Sequence, residues 1–300
     1  MKRGTETLLS ALPSKVATSC MSMCDPAVPA HVRDIDAESA DNIFFMAEYA
    51  RDIFEHLRER EVQTKIPAGF MQDHQFINTR MRQRLVDWIA DISNILQLFT
   101  ETYILSIYIM DSYLARVKTI ARNDFQLVGI ACVLLASKFE EYSYVMIADF
   151  ITLSANAFTP SQIKETECTI VNALGFRIIH PSPLDFFRRF SRAANNNDIN
   201  HNCARYLVEL ATLDHRMMEL LPSQLAAAAI YLSRRITNTV PCWDDTLAFY
   251  TGYSEEDVVA WARDLHILHQ FVQTGQFAIK TKYSDPKFHA VATLPSCGSF

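Results

Sequence analysis

The sequence predicts an all-α protein in which two repeated units of several short helices follow one another. Three observations predict this fold class. Apolar residues recur at helical spacing along most of the chain, only seven of the 300 residues are glycine, and similar short stretches recur about 95 residues apart. No segment combines the alternating apolar pattern of a strand with a tight hairpin turn.

The first 80 residues predict a flexible leader, one helix and a connector. Residues 1–40 lack a sustained apolar period and contain prolines, which is typical of a flexible segment. An amphipathic helix is predicted from Ala40, because apolar residues then recur at helical spacing and charged residues fill the opposite face. The apolar positions are Phe44, Phe45, Tyr49, Ile53 and Leu57. A connector through Pro67 and Gly69 follows this helix.

The next helices are predicted from an apolar stripe and from their N-terminal signals. The stripe has helical spacing and consists of Met81, Leu85, Trp88, Ile92 and Leu96. Three later helices are predicted to begin after Thr159, Ser182 and Ser254. A Ser or Thr hydroxyl at the N-cap accepts a hydrogen bond from an N–H group of the first turn, which otherwise lacks a partner.

The repeat is clearest in two stretches rich in small residues. Gln126–Ala131 resembles Gln224–Ala229, which lies 98 positions later. Small side chains let neighbouring helices approach closely, so we expect one central helix in each unit. Pro181 and Pro183 forbid a continuous helix and place the boundary between the units near residue 180.

The composition excludes several classes of protein. No two glycines lie close together, so the glycine-rich loops that bind nucleotide phosphates are absent. The net charge of −6 argues against nucleic acid as a partner, and no apolar run approaches the ~20 residues that span a membrane. Seven scattered cysteines predict reduced thiols in an intracellular protein. The close pair Cys20 and Cys24 lacks neighbouring ligands, so no metal site is predicted.

Several motifs, in a fixed order, resemble those of mitotic cyclins. Residues 81–88 (MRQRLVDW) resemble the family's MRxxLxDW signature, and residues 126–141 carry its QLVG and ASKFEE motifs. Residues 49–54 resemble the helix that precedes the first cyclin box, and residues 180–189 resemble the entry to the second. The chain therefore resembles the A/B-type cyclins over roughly residues 40–290.

Two further segments are most similar to the cyclin B-three branch of this family. They are residues 50–59 and residues 280–284. The expectation of this branch rests on these segments alone.

The resemblance implies two five-helix cyclin boxes, at residues 81–179 and 180–275. The N-terminal helix and its connector would occupy residues 41–80, and a C-terminal tail would occupy residues 276–300. The implied function is activation of a mitotic cyclin-dependent serine/threonine kinase at the G2/M transition. The implied location is the nucleus, with the cytoplasm as a second one. No catalytic residue and no cofactor is expected in the chain, because the kinase supplies ATP, magnesium and catalysis.

The resemblance also implies a set of kinase-binding residues. Lys138 and Glu167 would grip the C-helix region of the kinase through charge-assisted hydrogen bonds. The remaining residues of the set are Tyr49, Asp52, Ile53, Leu135, Phe139, Phe176 and Ile178. By residue type alone, the two charges also fit an ordinary solvated surface and the apolar members also fit the core.

A second implied site is a groove for substrates or inhibitors that carry an Arg-x-Leu motif. Its residues would be Met81, Arg84, Leu85, Trp88, Asp91 and Gln126. The sequence departs from the family pattern at Arg84, where the family has an aliphatic residue, and at Phe125, where it has leucine. A guanidinium in the groove would repel the arginine of the motif, so we expect weakened docking. The family's double proline after Glu141 is also missing, which leaves the shape of that loop open.

Three other functions fit the sequence less well than kinase activation. A transcription factor of the IIB type could share the fold, but it would need a basic face. A scaffold or inhibitory relative would bind a kinase without activating it. An enzyme is disfavoured because His266 and His269, which could share a helix face, are better explained as surface residues. Arg82-x-x-Leu85 matches a minimal destruction box, but it lies inside a predicted packed helix, so we regard the match as accidental.

Overall fold

The computed structural model describes residues 28–298, and within them the chain is helical and contains no strand. A first helix, α1 (Ala50–Gln63), precedes two groups of five helices, as the resemblance implies. The first group is α2 (Thr79–Ile95), α3 (Thr100–Arg116), α4 (Phe125–Glu140), α5 (Ile147–Leu153) and α6 (Pro160–Leu174). The second group is α7 (Pro183–Ala193), α8 (Asp198–Ala211), α9 (Pro222–Ile236), α10 (Asp245–Thr251) and α11 (Glu255–Gln273), and a short α12 (Ala278–Tyr283) follows. The predicted all-α class is confirmed, while the Cys20–Cys24 pair lies outside the described residues.

The predicted central helices lie at the centres of the two groups. α4 packs against α2, α3 and α6, and α9 packs against α7, α8 and α11. Ala131 and Ala136 of α4 and the run Ala226–Ala229 of α9 are completely buried. Because alanine adds little beyond the backbone, neighbouring helices approach these two helices from several sides. All three predicted N-caps, Thr159, Ser182 and Ser254, form capping boxes.

A buried arginine joins the two groups of helices. Arg82 of α2 donates two hydrogen bonds to Asp111 of α3, with distances of 2.7 Å (Nε to Oδ1) and 2.5 Å (Nη2 to Oδ2). Its Nη1 donates a third bond, 3.0 Å long, to the carbonyl of Thr212, which follows α8. Arg82 and Asp111 are both inaccessible to solvent, and burial raises the pKa of Asp111 while the guanidinium opposes this rise. Arg82 is thus a structural residue, in agreement with our view that the destruction-box match is accidental.

The predicted C-terminal tail contains α12, and two carboxylates, of the buried Glu209 and the half-buried Asp87, hold this helix. Glu209 of α8 accepts hydrogen bonds from Lys282 (2.8 Å) and from the Tyr283 hydroxyl (2.6 Å) of α12. Asp87 of α2 accepts a 2.8 Å bond from the backbone N–H of Ala278, at the start of α12. Residues from both groups of helices therefore hold the last helix.

The N-terminal region differs from the sequence-based expectation in two ways. The α-helix begins at Ala50 rather than near Ala40, because Met46 has a left-handed backbone (φ 46°) that the right-handed helix excludes. Isolated 3₁₀ turns cover Ile43–Phe45 and Ala47–Tyr49 instead.

The second difference concerns the predicted flexible leader, which is wrong for residues 30–40. Ile35 is buried, and its N–H donates to the Tyr250 hydroxyl at 3.2 Å. Asp36 forms a two-pronged ion pair with Arg189 of α7, with distances of 2.9 and 2.6 Å. The residues before Val28 lie outside the described residues.

Helix α1 is anchored to the second group of helices. Glu61 is buried and accepts hydrogen bonds from the backbone N–H (2.9 Å) and hydroxyl (2.8 Å) of Ser223, at the start of α9. Arg58 donates to the same hydroxyl and to that of Tyr253, and its guanidinium lies over the Tyr253 ring. The helix dipole favours a charged carboxylate at a helix N-terminus. The contact between Glu61 and Ser223 therefore fixes where α1 lies on α9.

The expectation that His266 and His269 lie on the surface is wrong, because both are buried in α11. Gln273 donates a 2.9 Å hydrogen bond to His269 Nε2, and burial lowers the pKa of His269 to about 4. The Ser296 hydroxyl lies 3.3 Å from His269 Nδ1. The Cys297 thiol lies 3.6 Å from His266 Nδ1, so both histidines contact the C-terminal segment that packs against α11.

The buried Arg82–Asp111 pair yields a stability prediction. Asp111→Ala leaves the Arg82 charge buried with only one carbonyl partner, so we expect a loss of about 3–5 kcal/mol in the free energy of unfolding. Replacing both residues at once, with Arg82→Met and Asp111→Leu, removes the uncompensated charge and should cost clearly less. Urea denaturation of the parent and both variants measures this.

A matched control is the exposed pair Arg51–Glu55 on α1, whose nitrogen and oxygen are 3.0 Å apart. Breaking it with Glu55→Gln should change the free energy of unfolding by less than about 1 kcal/mol. A double variant that is as unstable as Asp111→Ala would contradict the assignment of the cost to an unpaired charge.

Candidate functional site

Lys138 and Glu167 are brought together by the contact between α4 and α6. Lys138 lies in the last turn of α4, and its ammonium donates a hydrogen bond to the Glu167 carboxylate of α6. The Lys138 side chain is 39% exposed and the Glu167 side chain 13% exposed. A partly exposed ion pair of this kind contributes little stability, about 0–1 kcal/mol. Both groups can therefore exchange this contact for partners on another protein at low cost.

Two exposed aromatic side chains lie close to the members of this pair in the sequence. Phe139 follows Lys138 and is 47% exposed, and Phe176 follows α6 and is 76% exposed. Large apolar side chains in contact with water are typical of surfaces that a partner covers.

The backbone of Phe176 is also unusual. Gly175 ends α6 with a left-handed backbone (φ 59°), and Phe176 is left-handed as well (φ 61°). The N–H of Phe176 donates a 3.1 Å hydrogen bond to the carbonyl of Val171, so the second left-handed residue is part of the helix stop. This backbone conformation is unfavourable for residues other than glycine. The free chain thus carries both a strained backbone and an exposed ring at one residue.

The structure separates the other apolar members of the predicted set. Leu135 and Ile178 are buried, at 5% and 4% exposure, so their side chains pack inside the chain. Direct contact of these two residues with a kinase stays a prediction. Tyr49 and Ile53, by contrast, are exposed at the start of α1, as is Asp52. They are joined there by the exposed run Ile43–Met46, which the sequence analysis did not assign to a site.

The groove residues lie on α2 and at the start of α4. Leu85 is buried against Gly129, where an added Cβ would lie 2.9 Å from Leu85 Cδ1, so these two helices are in close contact. Met81, Trp88 and Gln126 are half-buried, while Arg84 and Asp91 are exposed. The surface therefore has an apolar floor with one charge of each sign at its edge.

The loop between α4 and α5, whose shape the sequence left open, was not predicted to be part of a site. Glu141 begins this loop and accepts hydrogen bonds from the Phe99 N–H (2.8 Å) and the Thr102 hydroxyl (2.6 Å). Tyr142, Tyr144 and Met146 are exposed. Their only sequence signal is the presence of three large apolar side chains in a segment that is too short to form a helix face.

The described part of the chain offers neither a metal-binding cluster nor a membrane-spanning helix. Between residues 28 and 298, no cluster of three or more His, Cys, Asp or Glu side chains is arranged to hold a metal ion. No helix in the same range is long and apolar enough to cross a membrane.

Comparison with known proteins identifies the family. The family "Cyclin, N-terminal domain" matches residues 52–179, and "Cyclin, C-terminal domain" matches residues 181–297. The chain belongs to the cyclin family. The two matched regions include both groups of five helices and most of α1.

The relatives of this cyclin include several named for the G2 phase and mitosis. It is 40% identical over 270 residues to the G2/mitotic-specific cyclin-B2 of Rana japonica, an alignment that covers 88% of this chain and 68% of that protein. It is 37% identical over 264 residues to the G2/mitotic-specific cyclin-B of Dictyostelium discoideum, covering 87% of this chain and 60% of the relative. The mitotic A/B type is thus supported, and assignment to the cyclin B-three branch stays a prediction.

A solved structure also resembles this cyclin. The X-ray structure of a viral cyclin from herpesvirus saimiri superposes with a TM-score of 0.65 and 20% identity, over 72% of this chain and 96% of that one. At this identity the likeness concerns the fold.

The strained backbone of Phe176 yields a prediction for the free cyclin. Phe176→Asn should raise the free energy of unfolding by about 0.5–1 kcal/mol, because asparagine tolerates the left-handed region better and the exposed ring loses little packing. Thermal and urea unfolding of the isolated chain measure the change. Phe139→Asn is the matched control: Phe139 lies in an ordinary helical turn, so this substitution should not stabilise. Destabilisation by Phe176→Asn would contradict the prediction.

Proposed function

We propose that this cyclin is the activating regulatory subunit of a mitotic cyclin-dependent serine/threonine kinase and acts at the G2/M transition. Its family and the G2/mitotic names of its relatives support the proposal. The observation that carries it is the Lys138–Glu167 ion pair at the contact of α4 and α6, with the exposed Phe139 directly after Lys138 and the exposed Phe176 just after α6. Exposed apolar side chains beside an ion pair of low stability are typical of a surface that a partner covers.

Activation would follow from preferential binding. A cyclin that binds the active conformation of the kinase more tightly than the inactive one shifts the population towards the active one. In this proposal Lys138 and Glu167 contact the C-helix region, as the resemblance implies, and pair there with backbone groups of the kinase. These charge-assisted bonds become stronger once Phe139 and Phe176 exclude water around them.

Helix α1 would supply a second part of the same interface. The contacts of Glu61 and Arg58 with the second group of helices hold α1 in place. Tyr49, Asp52 and Ile53 lie in its first turn or directly before it and remain free to meet a partner. Since the helix is anchored before binding, little ordering entropy would be lost there.

The groove of α2 and α4 would bind Arg-x-Leu motifs weakly. Its apolar floor suits the leucine, and Asp91 suits the arginine of the motif. Arg84, which is also exposed on this surface, carries a positive charge that would repel the arginine of the motif and so oppose its pairing with Asp91. Catalysis, ATP and magnesium would be supplied by the kinase, and we propose residence in the nucleus with a share in the cytoplasm.

The kinase-binding proposal predicts the effect of a double substitution. Lys138→Ala with Glu167→Ala should reduce activation of a purified, activation-loop-phosphorylated mitotic cyclin-dependent kinase at least 100-fold, because the charge-assisted contacts to the C-helix region are lost. Initial rates of phosphate transfer to a peptide, with kinase alone as the baseline, measure the effect. The matched control is Arg216→Ala with Asp214→Ala, which breaks an ion pair beyond α8, far along the chain from α4 and α6.

Two outcomes would contradict the proposal. Full activation by a folded Lys138/Glu167 double variant would show that this pair does not grip the kinase. Stable binding of the parent chain without activation would favour a scaffold or inhibitor.

Docking yields a separate prediction. Arg84→Ile should tighten the binding of a peptide carrying Arg-x-Leu about three- to tenfold, because it removes charge repulsion and adds apolar surface. Fluorescence anisotropy with a labelled peptide measures the dissociation constant. Arg80→Ile, one turn earlier on α2 and also exposed, is the matched control and should have a smaller effect. An unchanged dissociation constant for Arg84→Ile would show that Arg84 does not shape the groove.

A further inference from the structure

The exposed face of α2 carries one charge of each sign, with an apolar side chain between them. Arg84 and Asp91 are both exposed, and the half-buried Trp88 lies four residues after the first and three before the second. Side chains three and four positions apart are neighbours on one face of a helix. The three residues therefore form a row, with its positive charge towards the start of α2 and its negative charge towards the end.

The guanidinium of Arg84 is available to a partner. Asp87 lies one turn later on α2, but its carboxylate accepts the 2.8 Å hydrogen bond from the backbone N–H of Ala278. Within residues 28–298, no carboxylate pairs with Arg84 and no cation pairs with Asp91. Each of these charges can therefore pair with a partner residue of opposite sign, and such a pair becomes stronger where binding excludes water.

The helices beside α2 determine how a partner segment can lie on this row. Leu85 packs closely against Gly129 of α4, whereas Asp87 holds the start of α12. Because these two residues are two positions apart in a helix, they face nearly opposite sides of α2. The row thus runs between α4 and α12, and a segment that lies along α2 can contact all three of its residues.

The separation of the two charges sets the spacing that a partner needs. Arg84 and Asp91 are seven residues apart, which corresponds to about 10.5 Å along an α-helix. A peptide in the polyproline II conformation advances about 3.1 Å per residue and turns every third side chain to the same face. Two of its charged residues that are three positions apart are therefore separated by about 9 Å, which matches the row.

We infer that the groove selects protein segments with an acidic residue three positions after the arginine of the motif, that is, Arg-x-Leu-Glu or Arg-x-Leu-Asp. This inference rests on the docking part of the proposed function and names the class of partner. The arginine of the segment pairs with Asp91, the leucine contacts the apolar floor at Trp88, and the acidic residue pairs with Arg84. Arg84 therefore acts as a selector: it repels segments without the acidic residue and binds those that have it.

The test uses three labelled peptides that differ only at the position after the leucine, where they carry Glu, Gln or Lys. Fluorescence anisotropy measures their dissociation constants for the isolated chain. The parent should bind the Glu peptide about threefold more tightly than the Gln peptide and about tenfold more tightly than the Lys peptide. These differences should shrink as the salt concentration rises, because exposed charges are screened.

Arg84→Glu should reverse the order of the three peptides, because it reverses the charge that meets the variable residue. The matched control is Arg80→Glu, which makes the same charge change one turn earlier on α2, at another exposed position. It should keep the order of the parent. Both substituted side chains are exposed, so we expect both variants to fold, and urea unfolding curves check this.

The outcomes separate this inference from the proposed function. Equal affinities of the parent for the Glu and Gln peptides would overturn the inference, as would an Arg84→Glu variant that still prefers the Glu peptide. In both cases docking on α2 and kinase activation stand. If the parent binds none of the three peptides, the inference and the docking groove are both overturned. Kinase activation is then decided independently by the assay with the Lys138/Glu167 double variant.

Discussion

A single desolvated guanidinium, that of Arg82, constrains the placement of the two cyclin boxes. Removal of this charge from water is strongly unfavourable unless the guanidinium is paired with an opposite charge and hydrogen-bonded. Two donors are satisfied within the first box, by Asp111, and one by the Thr212 carbonyl next to the second box. Because a shift of one box against the other would break this third bond inside a low-dielectric interior, the boxes are fixed relative to each other. The Tyr103 hydroxyl, 2.6 Å from that of Thr212, reinforces the same junction.

This rigidity matters because the proposed kinase interface draws on both boxes. Lys138, Glu167 and Phe176 lie on the first box, whereas α1 is tied to the second through Glu61 and Ser223. A partner that contacts both parts binds more tightly when the distance between them is fixed before binding, because ordering them on binding would cost free energy. Two exposed aromatic residues, Phe139 and Phe176, lie on the first box, directly after Lys138 and just after α6. The core of the chain is conventional: small residues on two central helices, closely surrounded by others.

Much of the fold was predictable because its determinants are local in sequence. N-caps at Thr159, Ser182 and Ser254 depend on residues three positions apart, and the alanine-rich run of α9 is visible directly. The partners of Arg82 were not predictable in the same way, since Asp111 lies 29 residues away and Thr212 lies 130 away.

Local signals were also misleading where tertiary contacts or backbone strain decide the outcome. The apolar period before Ala50 has helical spacing, yet the left-handed Met46 breaks it. His266 and His269 are polar by residue type, yet α11 buries them. At the candidate site, the family resemblance indicated Lys138 and Glu167, but burial of Leu135 and Ile178 and exposure of the loop at Tyr142 depend on the packed structure.

The hydrogen bond between Asp87 and the N–H of Ala278 has a consequence for biosynthesis. These residues are 191 positions apart, so the carboxylate of α2 lacks this partner until Ala278 has been synthesised. At typical translation rates this interval lasts about 10–40 s. During that time α12 does not yet pack against α2 of the first cyclin box. Arg82 similarly lacks its hydrogen bond to the carbonyl of Thr212 until that residue has been synthesised. An incomplete first box therefore exposes apolar surface that the folded chain covers, and such surface favours aggregation.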